Sequence, residues 1–177
     1  MKNSILPVAI FIITLISSPQ LTAQEFRSLD KSPMDMAAFP SSYKISDKIV
    51  KVIYSRPQLK GRDLVKLAPP GKVWRTGANE AVEITFYRDV VFGGKALKAG
   101  TYSLFAIPSS NEDWTIIINS AQNVWGSYYY KQDQDVVRVA GVISKADKNI
   151  EAFSMMFDSD MTLKMGWGDT IISVPIK

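Results

Sequence analysis

The sequence predicts an all-β chain, an antiparallel β-sandwich or jelly roll that forms a single domain after a signal peptide. Three observations predict it. From Ile49 onward, apolar residues recur with a period of two in one segment after another. Clusters of glycine, asparagine, aspartate and serine divide these segments at short intervals. Helical spacing is nearly absent, so no stretch is left for the crossover helices that a parallel sheet needs.

The elements follow in order. Lys2 supplies a positive end, Ile5 to Ile16 an apolar run, and Leu21-Thr22-Ala23 a small-residue cut site, so residues 1–23 read as a secretory signal peptide cleaved near Ala23. The apolar run falls short of the ~20 residues a membrane span requires, so no permanent membrane anchor is expected after cleavage. Residues 24–47 are interrupted by Ser32-Pro33 and by Phe39-Pro40-Ser41-Ser42 and read as an N-terminal arm with little regular structure. Residues 48–177 then form the sandwich. Ile49 to Ile53 crowd one strand, and Val82, Ile84 and Phe86 alternate with Glu83, Thr85 and Tyr87 in another. Gly93-Gly94 reads as a two-residue hairpin turn, because both positions require positive φ and glycine supplies it without steric cost. Tyr102 to Ile107 and Trp114 to Ile118 make a second hairpin around the polar turn at 109–113. Further strands are expected at Val136 to Ile143, Glu151 to Asp158, Thr162 to Trp167 and Thr170 to Ile176. The segments expected to separate them are Lys145 to Asn149, Asp158 to Asp160 and Gly168-Asp169. Only Arg62 to Ala68 and Ala121 to Tyr130 have the composition for a helical turn.

What is missing bounds the chemistry. The 177 residues contain neither cysteine nor histidine, which excludes a Ser-His-Asp triad, a cysteine nucleophile, disulfides and thiolate or imidazole zinc sites. Catalysis by carboxylate, lysine, tyrosine or serine is left, or plain binding. A net charge of +4 without a basic run gives no footprint for nucleic acid. No cofactor is expected.

The longest stretch without alternation runs from Ser55 to Asn79, and loops that interrupt a sandwich are where sites are built. It carries Arg56, Arg62, Trp74, Arg75 and Asn79, with Glu80 just after. On the functional reading Arg56 and Arg75 hold a carboxylate, phosphate or sugar hydroxyl, Asn79 orients the ligand and Glu80 accepts a hydrogen bond or a proton. On the architectural reading an Arg75 to Glu80 ion pair pins the loop, and Trp74 plugs the core. A second cluster, Trp125 to Tyr130, is aromatic with polar tips, which suits both sugar stacking and packing back onto the sheet. Trp114 and Trp167 fall in phase with buried strand faces. Of the five glutamates, Glu80 is the one with a loop setting suited to acid-base work, and a glycosidase would need a second carboxylate that the sequence does not single out. Asp133-Gln134-Asp135 and Asp158-Ser159-Asp160 lack the glycine and distal glutamate of a calcium loop and read as solvated turns, so no metal site is expected.

At Tyr54-Ser55-Arg56-Pro57, Gly61-Arg62, Gly71 to Ala81, Ala99-Gly100-Thr101-Tyr102 and Trp125-Gly126, the chain resembles the domain of unknown function 2911 family, exported proteins found mainly in Bacteroidetes. The resemblance runs from about Ser32 to Ile176. It implies one β-rich exported domain whose signature residues coincide with the polar loop, and it brings no activity. Pro70 departs from the pattern, which has an aromatic residue there.

These readings combine into an expectation of a periplasmic or secreted β-sandwich acting as a binding or accessory module. Arg56, Arg62, Trp74, Arg75, Asn79 and Glu80 line its polar pocket, Trp125 and Tyr128 flank it, and the ligand is a sugar or small anion. The alternatives are a carboxylate-dependent hydrolase or lyase using Glu80 with Arg75, and a structural envelope protein with a protein partner.

Overall fold

The computed structural model describes residues 26–110 and 113–177; the expected signal peptide, its cut near Ala23 and part of the 109–113 turn lie outside the described residues. The chain is all-β. Seven strands form one antiparallel sheet, and two more form a small ribbon. In chain order they are β1 (Met34–Phe39), β2 (Val50–Ser55), β3 (Val82–Phe86), β4 (Val90–Phe92), β5 (Lys95–Leu97), β6 (Gly100–Ile107), β7 (Trp114–Asn119), β8 (Asp135–Phe157) and β9 (Leu163–Val174). A four-residue helix, α1 (Leu64–Leu67), and one 3₁₀ turn at Gln132–Gln134 complete the described elements. The large sheet runs β1-β2-β3-β6-β7-β8-β9, and β4-β5 is the ribbon inserted between β3 and β6.

The sheet curls until its two ends meet. Past the end of β2, Leu59 N–H donates to the Glu151 carbonyl at 2.9 Å and Phe153 N–H donates to the Pro57 carbonyl at 2.9 Å. The second half of β8 thus lies beside the start of the sheet, and the two layers expected of a sandwich come from one curled sheet. Inside lies a core whose centre is aromatic. Trp74 stacks on Trp167 at 5.6 Å and meets Trp114 and Phe153 edge-on at 6.1 and 5.2 Å. Such geometry suits ring quadrupoles and adds to the burial of large apolar surface. The ribbon covers the core with Val90, Phe92 and Leu97. Its Gly93-Gly94 turn has φ of +54° and +87°, and a Cβ on Gly93 would overlap the Val139 side chain at 2.7 Å, so both turn sterics and packing demand glycine there.

Three expectations about boundaries change. The arm is not irregular throughout, because residues 34–39 form β1 and pair with β2 from Met34↔Ser55 to Phe39↔Val50. The strands expected at Val136 to Ile143 and Glu151 to Asp158 are one continuous β8, and those at Thr162 to Trp167 and Thr170 to Ile176 merge into β9. Lys145 to Asn149 and Gly168-Asp169 sit where the β8-β9 register shifts, so their loop-like composition marks a bulge in a long hairpin. A short helix forms at 64–67 as the composition suggested, but 121–130 is not helical.

Candidate functional site

The string from Trp74 to Asn79 is a tight excursion from the sheet. Trp74 pairs with Ala106 on β6 through both backbone bonds, at 2.7 and 2.9 Å, and so extends the row that β3 occupies further along. The chain leaves this row after Arg75 and returns at Val82, whose N–H donates to the Arg75 carbonyl at 3.3 Å. Two residues in the excursion, Thr76 and Asn79, have φ near +60°. Asparagine tolerates that region well, whereas β-branched threonine is strained there. Thr76 is fully buried, and its hydroxyl donates to the Trp74 carbonyl at 3.3 Å. A Cβ on Gly77 would meet the Ser55 carbonyl at 3.1 Å, so the bend presses directly on the end of β2. Most of the motif that stands out in the sequence therefore shapes the backbone.

Its product is to deliver Asn79 and Glu80 to the outer face of the sheet. There they meet the second cluster. Glu80 and Trp125 form a β-bridge, Gly126 N–H donates to the Asn79 carbonyl at 3.0 Å, and Ala81 N–H to the Val124 carbonyl at 3.0 Å. Two adjoining hollows open at this junction and share Met34, Ser55 and Glu80. The first, about 270 Å³, runs under Asn123 and Val124 and is also lined by Glu83 and Ser103. The second, about 250 Å³, is bordered by Asn79, Trp125, Asp30 and Arg27. Asp30 is held below the usual carboxylate range, first by the Ser32 backbone N–H and then by the Asn79 side chain. Trp125 is 54% exposed at the edge of this recess.

The predicted residues divide into those at the recess and those elsewhere. Asn79, Glu80 and Trp125 lie together. Neither Arg56 nor Arg75 lines a hollow of this recess. Arg56 Nη1 donates to Asp35 at 3.0 Å, its Nη2 to the Ser154 hydroxyl at 2.8 Å and its Nε to the Phe153 carbonyl at 3.1 Å. It clamps β1 and the end of β2 to β8. Arg62 spends its donors on the Leu59 and Gln58 carbonyls at 2.9 and 2.7 Å and stays in its own turn. Trp74 is core. No ion pair joins Arg75 to Glu80 among the described residues, so the expected pin is absent; backbone pairing with the 124–126 segment holds the bend instead. Tyr128 is 79% exposed and lies over Gly126, next to the recess and outside its lining. Pro70 lines a separate hollow with Leu64, Val65 and Trp114. Glu83 is the second carboxylate that sequence reasoning missed. The available signal was its phase: with Val82 and Ile84 inward, Glu83 faces the same outer side as the loops.

The segment 120–134 that roofs this region is a strap over the outer face. Phe105 and Ile117 alternate with core residues, yet are fully buried, and Tyr130 packs edge-on against Phe105 at 5.2 Å. Asp135 ties the strap down: it accepts from Tyr130 Oη at 2.7 Å and from Asn119 Nδ2 at 2.8 Å, and pairs with Arg138 at 3.3 Å. Its side chain is 6% exposed, which corrects the expectation of a solvated turn for Asp135, while Asp133 stays exposed in the 3₁₀ turn. Burial and then the hydrogen bond to Asp135 push the Tyr130 phenol up to about 12. The other acidic pair does form a turn, with Asp158 and Asp160 both accepting from Thr162 N–H. No group of three potential metal-binding side chains occurs among the described residues.

No curated protein and no solved structure matches the chain. One family model does, described as protein of unknown function (DUF2911), and it spans residues 32–176, from the start of β1 through the bend, the strap and the end of β9. The chain belongs to that family, the DUF2911 proteins of unknown function.

Proposed function

We propose that this chain is an exported binding module that holds a sugar in the recess on the outer face of its sheet. One observation carries the reading: the Glu80 to Trp125 bridge fixes an exposed indole beside a carboxylate, an amide and the buried Ser55. A flat apolar ring next to hydrogen-bonding groups is what a pyranose requires, since one face of the sugar is C–H rich and its rim carries hydroxyls. Glu80 and Glu83 accept hydroxyl protons well and repel a small dianion, which favours a sugar over phosphate. Concavity at the site supports a small-molecule ligand over a docked protein partner.

The test is a glycan array followed by calorimetry on the best binder. Trp125→Ala and Glu80→Gln are each expected to weaken it by about tenfold or more, corresponding to about 1.4 kcal/mol. A binder indifferent to both substitutions sinks the assignment. The hydrolase or lyase reading has one observation of its own, the presence of Glu83 in the same hollow as Glu80. It predicts release of new reducing ends from the bound sugar, abolished by Glu80→Gln. Export to the periplasm or exterior is proposed from residues 1–23, and fractionation with N-terminal sequencing should find a chain starting at Gln24.

A further inference from the structure

The two hollows of the recess differ in how their charges are met. In the outer one Asp30 accepts from the Ser32 N–H at 2.7 Å, and Arg27 stands in the same lining. The inner one is lined by Glu80 and Glu83 and by no lysine or arginine. Neither glutamate side chain has an ion-pair or hydrogen-bond partner among the described residues. Two carboxylates on one hollow repel each other, and a cation between them relieves the repulsion. A serine supplies a second, independent observation. Ser55, the last residue of β2, is 5% exposed and lines both hollows. Its hydroxyl has no partner among the described residues, yet it is not sealed from solvent. A hydroxyl desolvated on most sides and left idle is costly unless a ligand bonds to it.

We infer that the inner hollow is the subsite for the ammonium group of an amino sugar, an assignment that rests on the recess holding a sugar. An ammonium carries three donors, and Glu80, Glu83 and the Ser55 hydroxyl are three acceptors on one hollow. The exposed Trp125 indole, bridged to Glu80, takes the sugar ring, and its π-face favours positive charge as well. A calcium ion takes about six to eight oxygens, whereas no group of three metal-binding side chains occurs among the described residues. The net charge of +4 on the whole chain disfavours cations in general, so a preference for one is local to this hollow.

The β-1,4-linked glucosamine trimer and cellotriose differ only in an ammonium against a hydroxyl on each ring, which makes them the probes. By calorimetry at mildly acidic pH, which keeps the sugar amines protonated, the amine is expected to bind the intact protein about tenfold more tightly or better. Glu80→Gln, Glu83→Gln and Ser55→Ala should each reduce that ratio. Asp147→Asn removes the same charge from an exposed position outside both hollows and should leave the ratio unchanged. Equal binding of the two trisaccharides overturns the subsite while leaving the sugar reading intact. A ratio that survives all three substitutions, or one that falls as far with Asp147→Asn as with Glu83→Gln, overturns it too. If neither trisaccharide binds, the sugar reading stands or falls by the glycan array, and methylammonium chloride against sodium chloride decides on the hollow. Carboxyl ¹³C signals of Glu80 and Glu83, assigned by their loss in the glutamine variants, that move with methylammonium alone support a cation subsite, and signals that stay still remove it.

Discussion

On its inner face the sheet buries Trp74, Trp114, Phe153 and Trp167 against one another, whereas on its outer face it buries Phe105 and Ile117 under a strap tied by Asp135, Asn119 and Tyr130. The inner layer is closed by apolar area and has few polar obligations. On the outer face closure depends on directed bonds: Ser103 Oγ to the Ala121 carbonyl, Gln122 Nε2 to the Thr101 carbonyl, and the Asp135 node. Area is non-directional and fills space completely, while a strap held at a few points leaves gaps between them. The recess beside Glu80 is such a gap, at the end of the strap where Asn123 to Trp125 turns back against the bend. The contrast explains why a small domain without disulfides keeps an open polar hollow on one side of a sheet whose other side is closed.

Substitutions should separate the two faces by size of effect. Trp74→Ala removes the hub of the aromatic cluster and is expected to cost about 3–5 kcal/mol, read as a drop in denaturant midpoint. A loss under ~1 kcal/mol would mean that the inner face is not the main source of stability. Asp135→Ala leaves Tyr130, Asn119 and Arg138 without their shared acceptor and is expected to cost about 2–3 kcal/mol. In hydrogen exchange the 120–134 amides should open first while β2, β3 and β6 stay protected; uniform opening would break the distinction between strap and core.

The alkaline limb gives a third handle. Tyr130 is protonated in the fold up to about pH 12, above the value near 10 of an unfolded tyrosine. Folded-state retention of the proton stabilises fully below pH 10, and that contribution drains away as the pH rises toward 12. Phenolate absorbance should show one tyrosine ionising late, and Tyr130→Phe should delete that step and flatten the decline in stability between pH 10 and 12. The smallest effect is expected at the rim: Trp125→Ala should change stability by less than about 0.5 kcal/mol while weakening sugar binding by about tenfold or more, because its indole is half in water. A large destabilisation by Trp125→Ala would turn the rim into part of the strap's packing.

How much of this was legible depends on what each residue's task is. Period-two alternation exposed β3, β6 and β7, and the paired glycines fixed the β4-β5 turn, since both signals are local. β1 was hidden because Met34 to Phe39 is an edge strand whose residues are mostly half-buried, so its apolar pattern never sharpened. The long β8-β9 hairpin was read as four strands because a bulge and a loop attract the same residues. At the site, Asn79, Glu80 and Trp125 were named and do meet. Arg56 and Arg62 were named for a charge that the fold uses internally, through acceptors about 100 residues away for the first and three or four for the second. Glu83 was passed over as a strand residue, although its outward phase put it beside Glu80.

By itself the sequence determined the class of fold, the inward phase of Trp114 and Trp167 and the turn chemistry, because periodicity, ring size and the φ that glycine allows act over a few neighbours. It also determined that no thiol or imidazole takes part. Only the tertiary structure decided that one sheet curls to make both layers, that the bend at 74–80 and the segment at 124–126 pair across some 45 residues of chain, and that Arg56 and Arg62 spend their donors inside the fold. Those outcomes depend on which distant backbone carbonyls and carboxylates arrive within about 3 Å of a donor, and a hydrogen bond reaches no further than that.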